Sequence, residues 1–538
     1  MRLVIIFYMG CYTGILAMQS PCHKIINSSN INVLDIAHHI LQKMYEFNYF
    51  CTPQVEDSPK QKACRPHFYI KSDYDLDNLL LGEPLITSYE CANLLEDAIN
   101  LYEKTLNAKT SVWLPTLDCT KEQQSKNIIY AQAKVLPSST RIIVMGDYHG
   151  CAHSLARNIM YLKYNDLLNQ ELINEKGILD PSVQIVILGD LADRGHYGVE
   201  TWVLALALKL CNPHQVTILQ GNHEGGELHN FYGLTAEVES KFETLSAKIN
   251  TLFPKLFNLL PQVLFIGAQN DRTNKVSYLY FCHGGMALQP QNYRALTIDD
   301  LFPDEDDDNP PIPEDAVVSA TANFQHLLST AVNIPYKNIY ANYQVNAARS
   351  GFIWDGFIAK SPLENQLFRP GTRGGDWLIH GSIVMDYLQM LSNKNSHTIA
   401  GIIRGHDHLD YGINILTNFA KPPTKNDPLY WEPLKNPKKI FYNENINAFP
   451  IFTITSIPEV FGKDAFALLT FDEHDDAWII TPYIKNTYYP DAQMRWLNKA
   501  YFQQNDQEAQ EVLFKPYDIR PINQDEEESC PENPSLQA

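Results

Sequence analysis

The chain is 538 residues long, 45% apolar and 11% aromatic, with 62 acidic against 42 basic residues and a formal charge of -20. It has the length for more than one domain and the apolar content for a large core. The acidic balance argues against binding nucleic acid or an anionic membrane through a broad cationic face, while a local basic pocket for an anionic substrate is still allowed.

In chain order, Met1 and Arg2 precede an apolar run from Leu3 to Met18 that resembles a secretory signal. Residues 1–19 are therefore expected to direct export; the alternative is a buried first strand or helix and a cytoplasmic protein. No later stretch has the apolar length of a membrane span, so no transmembrane segment is expected in the mature chain. Between residues 31 and 108, "INVLDIAHHILQKMYEF" and "SYECANLLEDAINLYEKTL" repeat apolar positions at helical spacing, the second with Ser88 as N-cap. This predicts a mostly helical N-terminal region over 20–138, closed by the break at Pro137-Ser138-Ser139-Thr140.

After Arg141 the character changes. "RIIVMGD" precedes "AHSLARNIMYLKYNDLL", "VQIVILGD" precedes "GVETWVLALALKL", and "QVTILQGNHE" precedes "AEVESKFETLSAKIN". Short apolar runs alternating with helical ones predict an α/β layered unit over 139–490, with its site at the carboxyl ends of the strands. The acidic, proline-rich stretch from Asp299 to Ala316 reads as a solvated insertion. The segment 491–538 reads as an acidic, loosely ordered tail, with nine acidic and two basic residues after position 500. Ten cysteines contain no CxxC pair, which argues against a structural zinc site or a thioredoxin-like motif. Cys211 and Cys282 lie in apolar runs and read as small hydrophobes. Cys22, Cys51, Cys64, Cys91 and Cys119 have the opportunity to pair if the protein is exported, with partners left open.

Five apolar runs end in a Gly or Cys and then deliver Asp, Asn or His: "GDYHG" (146–150), "GDLADRG" (189–195), "GNHE" (221–224), "FCHGG" (281–285) and "IIRGHDH" (402–408). Singly, each passes for a turn. Together they assemble the ligand set that suits manganese, iron or zinc, and two such ions about 3.5–4 Å apart clamp the attacking and leaving oxygens of a displacement on phosphorus.

In this order the motifs resemble those of the metallophosphoesterases, specifically the calcineurin-like superfamily and its serine/threonine phosphoprotein phosphatases. "NFYGLTAE", "FNLLPQVLFIG", "GFIWDGF" and "FTITSIPEVFG...ALLTFDE" extend the likeness across Arg141 to Tyr483. The resemblance implies an α/β fold, a metallophosphatase-type β-sandwich flanked by helices in four α/β/β/α layers. It implies two divalent ions (Mn, Fe or Zn), one held by Asp147, His149 and His406, the other by Asn222 and His283, with Asp190 bridging. His223 is implied as proton donor to the leaving alkoxide and Asp193 as its orienting partner. Arg194, Asn222 and Arg349 are assigned to the substrate phosphoryl group. The implied activity is hydrolysis of phosphoserine or phosphothreonine on a phosphoprotein substrate by direct attack of a dimetal-bridged hydroxide.

Some positions depart from the family. Gln220 stands where an arginine usually precedes GNHE, Val460 stands where a tyrosine is common, and "NAARSGF" around Arg349 aligns poorly. His408, just past His406, reads first as a hydrogen-bonding neighbour of the ligands or an exposed residue, with a further ligand as the alternative, and Glu224 reads as structural. The alternatives are a phosphotyrosine phosphatase or dinucleoside-polyphosphate hydrolase of the same superfamily, or a partner-binding module on a phosphatase scaffold. Oligomeric state is not legible.

Overall fold

The computed structural model describes residues 26–27, 30–43, 84–106, 112–114, 131–164, 171–195, 197–226, 228–286, 288–290, 343–345, 351–358, 368–371, 377–380, 388, 392, 397–409, 411–418, 429–440, 451–456 and 463–486. The signal-like segment, the acidic insertion, Arg349, Val460 and the acidic tail lie outside the described residues.

The sequence break at Pro137 is a turn, with Thr140 N donating to Pro137 O at 2.9 Å. It separates two strands that enter different sheets, β1 (Ala131–Leu136) and β2 (Arg141–Met145). Further strands are β3 (Val183–Ile187), β4 (Val216–Ile218), β5 (Val263–Asn270), β6 (Lys275–Cys282), β7 (His397–Arg404), β8 (Ile413–Asn418), β9 (Leu429–Pro433), β10 (Lys438–Ile440), β11 (Ile451–Ile454), β12 (Lys463–Asp472) and β13 (Ala477–Asn486). One sheet has seven strands in the order β9-β8-β11-β7-β6-β5-β1, the other six in the order β10-β13-β12-β2-β3-β4.

Residue alternation along β2 explains the layering. Ile142 and Val144 join Val186, Leu188, Leu264, Ile266, Phe281, Ile403, Ile454 and Trp478 in an apolar cluster built from both sheets. Ile143 and Met145 face the other way, into a cluster shared with the helices. A strand buried on both faces must be apolar throughout, as "RIIVM" nearly is. The helical layer contains α1 (Val33–Lys43), α2 (Ser88–Leu106), α3 (Ala152–Tyr164), α4 (Gly198–Cys211), α5 (Leu228–Tyr232), α6 (Leu234–Lys241) and α7 (Ser246–Phe257). Sheets flanked by helices are thus the fold expected.

α1 and α2 contribute Ile36, Ile40, Leu94, Leu95 and Ile99 to the same cluster as α3, α4 and α7. The N-terminal helices therefore complete the core of the α/β unit. Thr87, not the predicted Ser88, caps α2: its Oγ1 accepts from Glu90 N at 3.2 Å while Glu90 Oε2 accepts from Thr87 N at 2.8 Å. That reciprocal pair is a capping box, which Ser88, one residue later, is not placed to form. The single helix anticipated across "AEVESKFETLSAKIN" is two, α6 and α7, because Phe242 is extended and Leu245 takes a left-handed φ of 63°. Cys91, Cys151 and Cys282 are buried and Cys211 is half-buried.

α4, apolar on nearly every face, begins at a buried ionic cluster. Lys241 Nζ lies 2.5 Å from Glu200 Oε2 and 2.6 Å from Glu237 Oε1, with all three side chains at most 5% exposed. Glu237 also accepts from Gly198 N and Val199 N at 2.9 Å each, satisfying the orphan donors at the start of α4. One ammonium faces two buried carboxyl groups, so a proton on one of them leaves the cluster neutral. Burial, opposed by Lys241 and reinforced by Glu200, pushes the Glu237 carboxyl up to about 8.

Candidate active site

The parallel strands β2, β3 and β4 of one sheet and β6 and β7 of the other all end at one edge. There the sheets touch: Asp147 bridges to Thr455, and Ser456 N donates to Asp147 O at 3.0 Å. The approach demands glycine at two points. A Cβ on Gly146 would stand 2.0 Å from Ile454 O, and one on Gly405 would stand 2.2 Å from Asp147 Oδ1. Immediately beyond the five strand ends lie Asp147, Asp190, Asn222, His283 and His406.

Their side chains converge. Asp190 Oδ2 is 3.4 Å from His149 Nε2 and 3.2 Å from His283 Nε2, while Asp190 Oδ1 accepts from His223 N at 3.0 Å. Asn222 Oδ1 is 3.0 Å from His283 Nε2 and 2.9 Å from His406 Nδ1. Potential ligand atoms sort into two groups, Asp147, His149, Asp190 and His408 in one, Asp190, His283 and His406 in the other, with Asp190 common to both.

This sorting differs from the grouping read off the sequence. His406, expected beside Asp147 and His149, presents its ring to Asn222 and to His283 Nε2, 3.2 Å away. His408 takes the expected place, its Nε2 3.1 Å from Asp147 Oδ2 and 3.1 Å from His149 Nε2. The physical reason is the backbone: His406 has φ of 69°, which turns the chain between the two histidines so that they face different halves of the site. The signal for His408 was its spacing from His406 in "GHDH".

The donor set fits metal ions. His149 Nδ1 is 3.2 Å from Ala192 O and His283 Nδ1 is 2.9 Å from Leu188 O, contacts that place a proton on each Nδ1 and turn the Nε2 lone pair inward. Asp147 Oδ1 is buried without a hydrogen-bond partner, and imidazole nitrogens face one another at 3.1–3.2 Å. Electrostatics agree. Although burial acts the other way, His283, His223 and His149 hold the Asp190 carboxyl well below the usual range. Against its own burial, Asp190 and Asp147 keep the His283 ring protonated up to about 9. Burial, with Arg194 nearby, drives His149 well below the ordinary imidazole value. The proton that Asp190 and Asp147 hold on His283 is one that a bound cation would displace.

His223 sits beside the cluster, its Nδ1 2.8 Å from Asp193 Oδ2. Asp193 Oδ1 accepts from Leu234 N at 2.9 Å, and Arg194 N donates to Tyr232 O at 2.9 Å, so α5 and α6 fix both residues. Arg194 reaches His223 Nε2 at 3.0 Å and His408 Nδ1 at 3.2 Å. Glu224 is structural, accepting from Asp190 N, Leu191 N and Gly221 N at 2.8–3.0 Å. Gln220 ties the GNHE loop to α7 by donating to Phe257 O at 3.1 Å and accepting from Gln262 Nε2 at 2.7 Å. The Trp354 ring stands edge-on to His406 at 6.1 Å, and Asp355 Oδ1 accepts from Trp377 N at 2.8 Å. Among the described residues no helix is long and apolar enough to cross a membrane.

The family model described as calcineurin-like phosphoesterase matches residues 140–410. The chain is 32% identical over 167 residues to the serine/threonine-protein phosphatase 6 catalytic subunit of Caenorhabditis elegans, covering 31% of this chain and 43% of that protein. It is 34% identical over 179 residues to the serine/threonine-protein phosphatase PP2A-like PPG1 of Candida albicans, covering 33% of this chain and 35% of that one. It thus matches less than two thirds of the length of these relatives. A solved serine/threonine phosphatase from Saccharomyces cerevisiae superposes with a TM-score of 0.42 at 16% identity, over 75% of this chain and 91% of its own.

Proposed function

Since the chain belongs to the calcineurin-like phosphoesterase family, we propose that it is a metal-dependent phosphoprotein phosphatase, hydrolysing phosphoserine or phosphothreonine monoesters. The observation that carries this reading is the double ligand group sharing Asp190, set against the Asp193–His223–Arg194 constellation. The two named relatives, both serine/threonine phosphatases, support the substrate class.

Asp147, His149, Asp190 and His408 would hold one ion, and Asp190, Asn222, His283 and His406 the other. Bound there, a pair of divalent ions, manganese being the pair to test first, supplies Lewis-acid stabilisation of phosphoryl charge and a more acidic water. Arg194 presents a planar fork to the phosphoryl oxygens. Once Arg194, which donates to His223 Nε2 in the free site, turns to the phosphoryl oxygens, His223, with Nδ1 engaged by Asp193, gives a proton from Nε2 to the departing serine or threonine oxygen, and Asp193 supports the charged ring.

The test is a panel of phosphoserine, phosphothreonine and phosphotyrosine peptides with manganese present. Turnover of the first two above the third is expected; a preference for phosphotyrosine overturns the substrate assignment. His223→Ala is expected to slow phosphoserine peptides by about 10²-fold or more. It should slow p-nitrophenyl phosphate far less, because that leaving group departs without a proton. Equal losses on the two substrates would remove His223 from the donor role.

A further inference from the structure

Tyr148 separates Asp147 from His149, and its ring turns away from both into the helix-facing core, where it is 0% exposed. A tyrosine so placed brings a polar atom into an apolar cluster, which is costly unless that atom is engaged. It is engaged: Asn158 Nδ2 of α3 donates to Tyr148 Oη at 2.8 Å. The same amide nitrogen lies 3.5 Å from Ala465 O on β12. Ala465 N donates to Ser456 Oγ at 3.0 Å, and Ser456 N donates to Asp147 O at 3.0 Å. A ring of contacts thus leaves the loop through the Tyr148 side chain and returns to it through the Asp147 carbonyl.

The loop has need of such an anchor. His149 has φ of 45°, a left-handed conformation that is strained for a non-glycine residue and persists only where its surroundings over-determine it. The backbone supplies restraints on one side, with Tyr148 N and His149 N both donating to Asp190 O at 3.0 and 2.9 Å and Gly150 N donating to Leu191 O at 2.8 Å. Those bonds hold the loop against the Asp190–Leu191 backbone. The buried hydroxyl, gripped from α3, holds it through the Tyr148 side chain as well. The two sets together define the direction in which Asp147 and His149 project.

We infer that Tyr148 is a positioning residue of the Asp147–His149–Asp190–His408 half-site, its hydroxyl acting with Asn158 to hold His149 in the ligating conformation. This rests on the metal-dependent reading above, and the experiment separates the two. Manganese(II) is titrated calorimetrically into metal-stripped full-length wild type, Tyr148→Phe, Asn158→Leu and the double variant, each also followed by thermal unfolding.

Tyr148→Phe is expected to weaken the binding of one of two manganese ions about tenfold, the size typical for loss of a group that orients a ligand. Excess manganese should then restore kcat. Asn158→Leu should weaken the same ion, and the double variant should be no worse for metal than the poorer single, because both act along one path. Unchanged manganese affinity in Tyr148→Phe, with only a lowered unfolding temperature, would overturn the positioning role and leave Tyr148 as packing. A wild type that takes up no manganese would overturn the metal reading and the inference with it.

Discussion

Asp190→Asn is expected to remove turnover of p-nitrophenyl phosphate by on the order of 10³-fold or more, at any manganese concentration, while the protein stays folded. Asp190 is the residue common to both ligand groups. Its Oδ2 faces His149 and His283, and its Oδ1 also holds the backbone of His223. An amide keeps the size and one acceptor oxygen, so the His223 N contact can survive. What it loses is the negative charge between two clusters of imidazoles, the charge that would neutralise part of two dications at once. Asn222→Ala or His408→Ala touches one group only and should be milder and correctable by added metal. Substantial activity in Asp190→Asn would detach the chemistry from this centre altogether.

Lys241→Met is the largest effect expected on stability, a loss of about 3–5 kcal/mol, because it strands two buried carboxylates without a cation. Glu200 Oε1 is already without a hydrogen-bond partner, so the cluster has no spare donor to offer. The sign with pH follows from Glu237. Its folded-state carboxyl is raised from 4.5 to about 8, so protonation favours the fold below that window, and the stability it contributes is lost as pH rises through about 8. Without Lys241 both carboxylates are left to take up protons, which is easy near pH 5 and unfavourable near pH 8. The destabilisation measured by thermal unfolding should therefore grow from pH 5 to pH 8. A flat difference would mean that the three charges are not coupled. The consequence reaches the site, since Glu237 lies on α6, whose first residue, Leu234, donates to Asp193.

The strand ends were legible because each repeats one pattern, an apolar run broken by Gly or Cys and followed by a residue no core would choose. Asp147, Asp190, Asn222, His283 and His406 all stand at such endings, and the site gathers all five. The pairing of ligands was not legible, because it depends on the backbone angle at His406, and the residue itself gives no hint of φ near 69°. The same limit hid the break at Leu245, where a left-handed residue interrupts an otherwise regular apolar spacing. Thr87 was displaced by Ser88 as the expected cap because both carry a hydroxyl; Glu90, three residues after Thr87, was the distinguishing feature. Nothing in the sequence singles out Tyr148, because its partner, Asn158, lies on a different element and is named by no motif.

The measurement that bears most directly on the dimetal reading is the metal content of full-length protein loaded with manganese and then desalted, read beside its phosphatase activity. About two ions per chain are expected in wild type, falling with activity in Asp190→Asn. Wild-type protein that hydrolyses phosphoserine peptides at full rate with no metal bound would contradict it.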